Sequence, residues 1–277
     1  MARLLAPGAA LVGQSKNRNT EINKVSQRFI ELFLRSQPLL RSITAKNLFD
    51  ETRIREILDE SIIHQIGGFA GVNTSYTYKV GPAFLTGNGI FDLGYLNYKS
   101  NGTGNLNGKI NVVGDFRVLA GVDLMQNEWF GVSPFTGLGY RLLYEWGGGR
   151  TTTTGAVGYD RFSQYFYIPV GLGFSFAAGG WFIRPSAEYD YLVRGYQTSY
   201  LSQVGAFGDI KNQQNHGYGL RGTLLFERGA VAFGPFVRYW DIGESKPAFF
   251  SAGGAEFVGI EPHNKTLEAG ATLRFRF

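Results

Sequence analysis

Arginine and carboxylate side chains are the residues of this 277-residue chain whose types and spacing could do chemistry. Successive side chains of a β-strand point to opposite faces, so charges an even number of residues apart share a face. In the last stretch, Glu268 and Arg274 alternate with apolar residues in this way. The same parity along the chain places seven positive and seven negative side chains on one common face: Asp92, Arg117, Asp123, Arg141, Glu145, Arg184, Glu188, Asp190, Arg221, Glu227, Arg238, Glu268, Arg274 and Arg276.

Two interpretations of these charges stay open at the level of the sequence. Unpaired charges are costly in a confined interior, so equal numbers of both signs predict mutual pairing in a polar core. Arginine rather than lysine suits bidentate contacts with carboxylates. The alternative is that some carboxylates form a catalytic pair or line an ion pathway. The balance of charge favours the polar core.

The histidines do not point to nucleophilic catalysis, which usually needs one beside a serine or a carboxylate. We expect His64 in a helical segment, and His216 and His263 at the loop edges of strands. Cysteine is absent, which excludes disulfides and thiolate sites. Residues 147–150 are Gly-Gly-Gly-Arg, but no helix or Lys-Ser/Thr follows, so they predict a loop. The sequence therefore predicts no catalytic residue, cofactor or metal ion.

The elements that position the charges are strands with one apolar face, and residues 165–193 show them best. Phe166, Ile168, Val170 and Leu172 share a face opposite Tyr165 and the glycines, and the alternation resumes after a turn at 177–180. Each strand is longer than the usual five or six residues, and aromatic residues lie near both ends of its apolar face. This pattern is typical of a hairpin in a transmembrane β-barrel.

Short turns and long loops alternate along the rest of the chain, as in outer-membrane barrels. The short turns are predicted at 125–129, 177–180 and 228–229, and the long loops at 97–107, 147–160, 195–215 and 241–264. Nine strands are recognisable, whereas bacterial single-chain barrels have an even number. Eight would exclude the stretch 69–80, and ten would need a strand before residue 67, with 27–36 as the candidate. We favour ten.

Residues 1–66 differ from the barrel segment 67–277. The first 13 residues weakly resemble a signal peptide, and apolar residues at helical spacing then predict two amphipathic helices within 14–66, ended by Gly67-Gly68. Such helices pack against protein more often than they bind a membrane surface. This segment is therefore a candidate plug of the barrel lumen, or a binding site for a protein partner.

Composition restricts the function further. No run of eighteen apolar residues exists, so no transmembrane helix is expected. The net charge of +5 is modest, and no basic stripe with interleaved aromatics is present. Nucleic-acid binding is therefore not expected.

The final strand, from Thr266 to Phe277, alternates throughout and ends on a phenylalanine. It resembles the assembly signal of Gram-negative outer-membrane proteins. The stretches GYRLLYEW, HGYGLRG, PFVRYW and EPHNKTLEAG also resemble small porin-family and OmpA-like barrels over residues 67–277. The resemblance implies an all-β, antiparallel up-and-down transmembrane barrel of 8–10 strands in the bacterial outer membrane. It also implies insertion by the barrel-assembly machinery, but it implies hardly anything about activity.

We therefore expect a non-enzymatic outer-membrane barrel with a filled, charge-paired lumen and a structural or interaction role. Its long loops or residues 14–66 would contact a protein partner, and its outer face would contact the lipid bilayer. The first alternative is a small porin, which a wide lumen of one charge sign would favour. The second alternative is a barrel hydrolase, which the few histidines disfavour.

Deletion of Phe277 tests the resemblance directly. The shortened chain should insert poorly, because it lacks the terminal aromatic residue of the assembly signal. Outer-membrane levels and heat-modifiable gel mobility measure insertion. Wild-type values for both would contradict the prediction.

Overall fold

The computed structural model describes residues 10–12, 63–205, 207–252 and 255–276. Residues 14–62 of the predicted helical segment, the candidate strand 27–36 and Phe277 lie outside these residues, as does most of the signal-like start. Fourteen strands are present in the described part of the chain. They are β1 Ala10–Val12, β2 Ile63–Val80, β3 Ala83–Ser100, β4 Gly104–Val122, β5 Leu124–Asn127, β6 Phe130–Trp146, β7 Arg161–Ala178, β8 Trp181–Ser199, β9 Ile210–Gln214, β10 Gly217–Arg228, β11 Val231–Ile242, β12 Ala248–Ala252, β13 Ala255–Ile260 and β14 Asn264–Phe275.

Nine long strands form one curled, antiparallel up-and-down sheet, which confirms the predicted all-β class. Their order is β14-β11-β10-β8-β7-β6-β4-β3-β2, while β5 pairs with β6 and β9 with β8. The outermost strands, β2 and β14, do not pair with each other, so the sheet is an open half-barrel. Strands β1, β13 and β12 form a separate small sheet.

Strand β2 begins earlier than predicted. All eighteen of its residues pair with β3, from Ile63 opposite Ser100 to Val80 opposite Ala83. The long partner strand therefore continues the ladder through Gly67 and Gly68, which we had expected to end a helix. His64 accordingly lies in a strand and not in a helical segment. The eight-strand alternative is also wrong, because it required residues 69–80 to lie outside the sheet.

The connection between β3 and β4 is a tight turn and not the predicted loop 97–107. The strands continue to Ser100 and from Gly104, with only three residues between them. The Ser100 hydroxyl accepts hydrogen bonds from the N–H groups of Gly102 (3.2 Å) and Thr103 (3.4 Å). Gly104 has a φ of 81°, a conformation that glycine adopts without steric cost. Local side-chain hydrogen bonds thus close a tight hairpin turn where the polar sequence predicts a long loop.

The two ends of the half-barrel differ. Turns at 81–82, 128–129, 179–180 and 229–230 define the short-turn end, and connections at 101–103, 147–160, 200–216 and 243–263 define the long-loop end. At the long-loop end, Tyr159, Leu201, Ile210, Phe250 and Phe257 form a buried apolar cluster. The long connections therefore pack into a cap of their own.

The alternation predicted for residues 165–193 is present. Tyr165 and Tyr167 are buried on one face, whereas Phe166 and Leu172 are exposed on the other. On the buried face, glycines make room for rings from neighbouring strands. A Cβ atom on Gly139 would lie 2.1 Å from the Cζ atom of Tyr167. Among the described residues, no helix is long and apolar enough to cross a membrane.

Gly139→Ala should destabilise the protein by about 1–3 kcal/mol, because the added methyl group overpacks the fixed Tyr167 ring. Gly87→Ala is the matched control, since a Cβ atom there would meet nothing within 4 Å. Thermal unfolding of both variants checks the difference. Equal melting temperatures would show that the ring can move aside.

Candidate functional site

The candidate site is a network of charged side chains that meet across one face of the sheet. Arg238 on β11 contacts Asp92 on β3 through Nη1 and Oδ2 at 3.1 Å, although six steps of the strand order separate the two strands. Arg238 also donates to Glu268 on β14 (3.0 Å). Side chains this far apart in the sheet meet only if the sheet curves toward them. The charged face is therefore the concave one.

Arg221 lies at the centre of the network and is surrounded by three carboxylates. Its Nη2 donates to Asp115 Oδ2 and its Nε donates to Asp190 Oδ2, both at 2.6 Å. Its Nε also lies 3.2 Å from Glu188 Oε1. Asp115 and Asp190 have no exposed surface. Charged hydrogen bonds of this length offset part of the cost of removing these groups from water.

Aromatic residues hold this centre in place. The Tyr167 hydroxyl donates to Asp115 (2.5 Å) and accepts from Arg221 (2.9 Å). The ring of Trp240 lies 5.2 Å from that of Tyr167, and the guanidinium groups of Arg141 and Arg221 lie 5.6 and 5.7 Å from the Trp240 ring. Trp240 and Tyr167 also belong to a buried apolar cluster with Tyr165, Leu192 and Ile242, so the network and this cluster form one packed core.

Two more pairs extend the network across the concave face. Arg117 on β4 donates through Nη1 to both oxygens of Glu188 on β8, at 2.6 and 2.8 Å. Arg141 on β6 donates to Glu268 on β14 and lies 3.6 Å from Asp115. Neighbouring pairs share partners, so the ion pairs form a continuous layer and not isolated bridges.

The remaining predicted charges lie toward the two ends. At the short-turn end, Glu227 pairs with Arg184 (2.9 Å) and with Arg276. Asp123 pairs with Lys79 (2.5 Å). Arg274 contacts no carboxylate of the described residues, and its buried Nε has no hydrogen-bond partner among them.

At the long-loop end, the structure pairs Glu145 with Lys109, and Arg161 with Glu261. Sequence reasoning named only Glu145 of these four. Arg161 borders a segment that we predicted as a loop, Glu261 lies within another, and Lys109 comes shortly after a third. Asp115 was missed because the apolar residues Val112 and Val113 precede it and obscure the alternation. Extension of the strand parity could have found Lys109, Asp115 and Arg161, whereas Glu261 lies between β13 and β14 and follows no strand parity.

Asp160 organises the backbone where β6 leads into the cap. Its Oδ1 accepts hydrogen bonds from the N–H groups of Gly147 (2.9 Å) and Gly148 (2.8 Å), and its Oδ2 accepts from Tyr144 and Gln203, both at 3.0 Å. Burial raises the pKa of this carboxyl group. The hydrogen bonds, led by that of Gly148, outweigh burial and hold the pKa below its ordinary value of 3.8.

The arrangement offers little for catalysis. His263 Nε2 lies 2.6 Å from Asp241 Oδ1, but this pair is at the exposed long-loop end and no described hydroxyl group hydrogen-bonds to the imidazole. His64 and His216 lie outside the network. Within the described ranges, no three histidine or carboxylate side chains are grouped to hold a metal ion. The described network therefore consists of ion pairs and aromatic contacts.

No protein-family model matches this chain, and no curated protein is significantly similar to it.

Arg221→Met should destabilise the protein by about 3–5 kcal/mol, because it leaves Asp115 and Asp190 buried without their shared cation. Lys79→Met removes one partner of the exposed ion pair with Asp123 and should lower the free energy of unfolding by about 0–1 kcal/mol. Urea unfolding in detergent micelles measures both. Equal unfolding midpoints would contradict a central role for Arg221.

The loop at 147–160 should loosen in acid. The pKa of Asp160 is lower in the folded protein than in the unfolded chain, so its contribution to stability is present above pH 3.8 and is lost as the pH falls through the folded pKa. Hydrogen exchange of the Gly147 and Gly148 amides, corrected for intrinsic rates, should therefore accelerate in acid. Asp160→Asn should remove this pH dependence. If exchange in Asp160→Asn still accelerates in acid as in the wild type, another titrating group causes the pH dependence.

Proposed function

We propose that this chain is an outer-membrane β-barrel protein whose lumen is filled by paired charges and whose role is structural or interactive. The observation that carries the proposal is the contrast between the two faces of the sheet. The concave face holds the charge network, whereas the convex face exposes large apolar residues, with Leu138 exposed by 70% and Val170 by 54%. A water-soluble protein rarely exposes so large an apolar surface.

Aromatic residues on the convex face form two rows with an aliphatic band between them. The row toward the long-loop end contains Tyr95, Tyr144, Trp146, Phe162, Phe166, Tyr189, Tyr191, Tyr218 and Tyr239. The row toward the short-turn end contains Tyr76, Tyr78, Trp129, Phe130, Phe174, Phe176, Trp181, Phe226, Phe233 and Phe275. No described residue of the convex face between these rows is charged. Two aromatic girdles around an apolar band are the pattern of a membrane-spanning barrel.

The spacing of the rows fits a bilayer. From Phe166 to Phe176, β7 advances ten residues, which is about 33 Å along the strand. A strand tilt of about 40° reduces this distance to about 25 Å along the membrane normal, the usual height of the apolar band. Long loops at one end and short turns at the other support an orientation with the long-loop end outside the cell.

Closure of the barrel is part of the proposal. The free edges of β2 and β14 carry unpaired backbone groups, which a bilayer does not tolerate. Nine long strands are described, and a tenth from the residues before Ile63 would give the even number of bacterial barrels. The ion pair of Arg238 with Asp92 supports closure, because it brings side chains of β11 and β3 into contact across the concave face.

The filled lumen favours an interaction role over transport. The ion pairs and Tyr167 occupy the middle of the concave face, and Phe135 and Phe236 lie over glycines of neighbouring strands. The cap of packed loops presents an ordered surface at the long-loop end. We therefore propose loop display, or anchoring of a protein partner, as the role. Insertion would require the barrel-assembly machinery.

Leu172→Arg tests the membrane position. A charge near the bilayer midplane should reduce insertion, at a cost of about 2–4 kcal/mol. Ala178→Arg is the matched control, because Ala178 lies on the same face of β7 at the short-turn rim, where the cost falls to about 0–1 kcal/mol. Folding yield into lipid vesicles compares the two. Equal yields would contradict a membrane-facing β7.

Single-channel recording of the full-length protein in planar bilayers tests the filled lumen against the small-porin alternative. We expect no stable openings of nanosiemens size, because paired side chains leave no continuous water column. The double variant Arg141→Ser/Glu268→Ser should increase conductance by removing a pair from the middle of the layer. Large, stable openings of the wild-type protein would instead favour transport.

A further inference from the structure

The convex face carries its charges asymmetrically. On the strands of the main sheet at the long-loop end, four basic residues point outward, Lys99, Arg194, Lys211 and Lys265, against one carboxylate, Asp241. The connections at this end also expose the carboxylates Asp209, Glu244 and Glu256. At the short-turn end, Arg228 and Glu128 are exposed and of opposite charge, and the turn at 179–180 lies between their two turns. The outward charges on the strands of the main sheet are therefore mainly basic at the long-loop rim.

Arg194, Tyr196 and Lys211 form what we call the basic rim patch, on the adjacent strands β8 and β9. Thr198 pairs with Lys211, and Tyr196 lies between the two basic residues along the same face. The ammonium group of Lys211 lies 4.6 Å from the centre of the Tyr196 ring. Arg194 and Lys211 are exposed, and neither forms an ion pair with a carboxylate of the described residues.

The absence of a described carboxylate partner distinguishes the patch from Lys265 and from most arginines of the concave face, although Lys99 and Lys246 also form no ion pair with a described carboxylate. Lys265 lies 3.6 Å from Asp241, and nearly every arginine of the concave face contacts a carboxylate. The patch also continues directly into the apolar face, because Phe166 pairs with Arg194 and Ile168 pairs with Tyr191 on β7 and β8. A ligand that covers both parts must carry an anionic group joined to an apolar chain.

We propose that the basic rim patch binds the phosphate of an anionic lipid in the leaflet at the long-loop end. This inference rests on the proposed membrane position. Arg194 and Lys211 lie at or above the aromatic row, where headgroups would lie, and long basic side chains reach such groups readily. The acyl chains would lie along Phe166, Ile168 and Tyr191. Charge complementarity selects an anionic headgroup over a zwitterionic one.

Native mass spectrometry of the full-length protein in detergent micelles tests the inference. The probes are phosphatidylglycerol and phosphatidylcholine with identical acyl chains, and wild-type protein should retain more phosphatidylglycerol. Arg194→Gln/Lys211→Gln should lose this preference, by about fivefold for each charge removed. Arg228→Gln is the matched control and should retain it, since Arg228 also lies over an aromatic ring, that of Trp181, but at the opposite rim.

Three results would overturn the inference. One is an unchanged lipid preference in the double variant, and another is an equal loss in Arg228→Gln. The third is displacement of the lipid by soluble glycerol phosphate, which would show a site for free phosphate. Heat-modifiable gel mobility and vesicle insertion, measured for the wild type and each variant, test the membrane position separately from the lipid site. Failed insertion of the wild type would contradict the membrane position, whereas normal insertion with unaltered lipid preference would contradict only the lipid site.

Discussion

The buried contact between Arg221 and Asp115 is the interaction on which the arrangement of this protein depends. It joins β10 to β4 across the concave face, and both side chains have lost almost all contact with water. Removing two charges from water is costly, so such a pair persists only where further hydrogen bonds satisfy it. Tyr167 and Asp190 supply those bonds. Asp190 lies on the neighbouring strand β8, whereas Asp115 lies four strands away and can reach Arg221 only if the sheet is curved. Curvature and charge pairing therefore require each other.

The two faces of the sheet follow from the same strand alternation. Each arginine or carboxylate that points inward is flanked in the sequence by residues that point outward, so a polar interior forces an apolar exterior at every second position. Glycines on the inner face allow the rings of Tyr167 and Phe135 to lie flat against neighbouring strands. Large side chains can thus fill the concave space without pushing the strands apart. This packing supports the proposal of a filled lumen.

Much of the sheet could be predicted from the sequence, because alternation is a local property. The faces of Phe166, Arg141 and Glu188 follow from parity alone. The partners could not be predicted, since the pairing of Arg238 with Asp92 depends on how far the sheet curls. Local hydrogen bonds also override composition, as at Ser100, where polar residues that suggest a loop close a tight hairpin. The ladder with β3 likewise continues through Gly67, although a pair of glycines ordinarily suggests the end of a helix.

The long sequence separations within the network have a consequence for assembly. Arg141 and Glu268 are 127 residues apart, and Asp92 and Arg238 are 146 residues apart. A single hairpin can form its backbone ladder and apolar face, but it leaves inward charges such as Asp92, whose ion-pair partner is Arg238 on β11, without a counter-charge. Their desolvation becomes favourable only when strands from both halves of the chain are present. Contacts this distant also impose loop-closure entropy before they contribute any stabilisation. The sheet should therefore bury its charges in one cooperative step, and an incomplete set of strands should keep its concave face in contact with water.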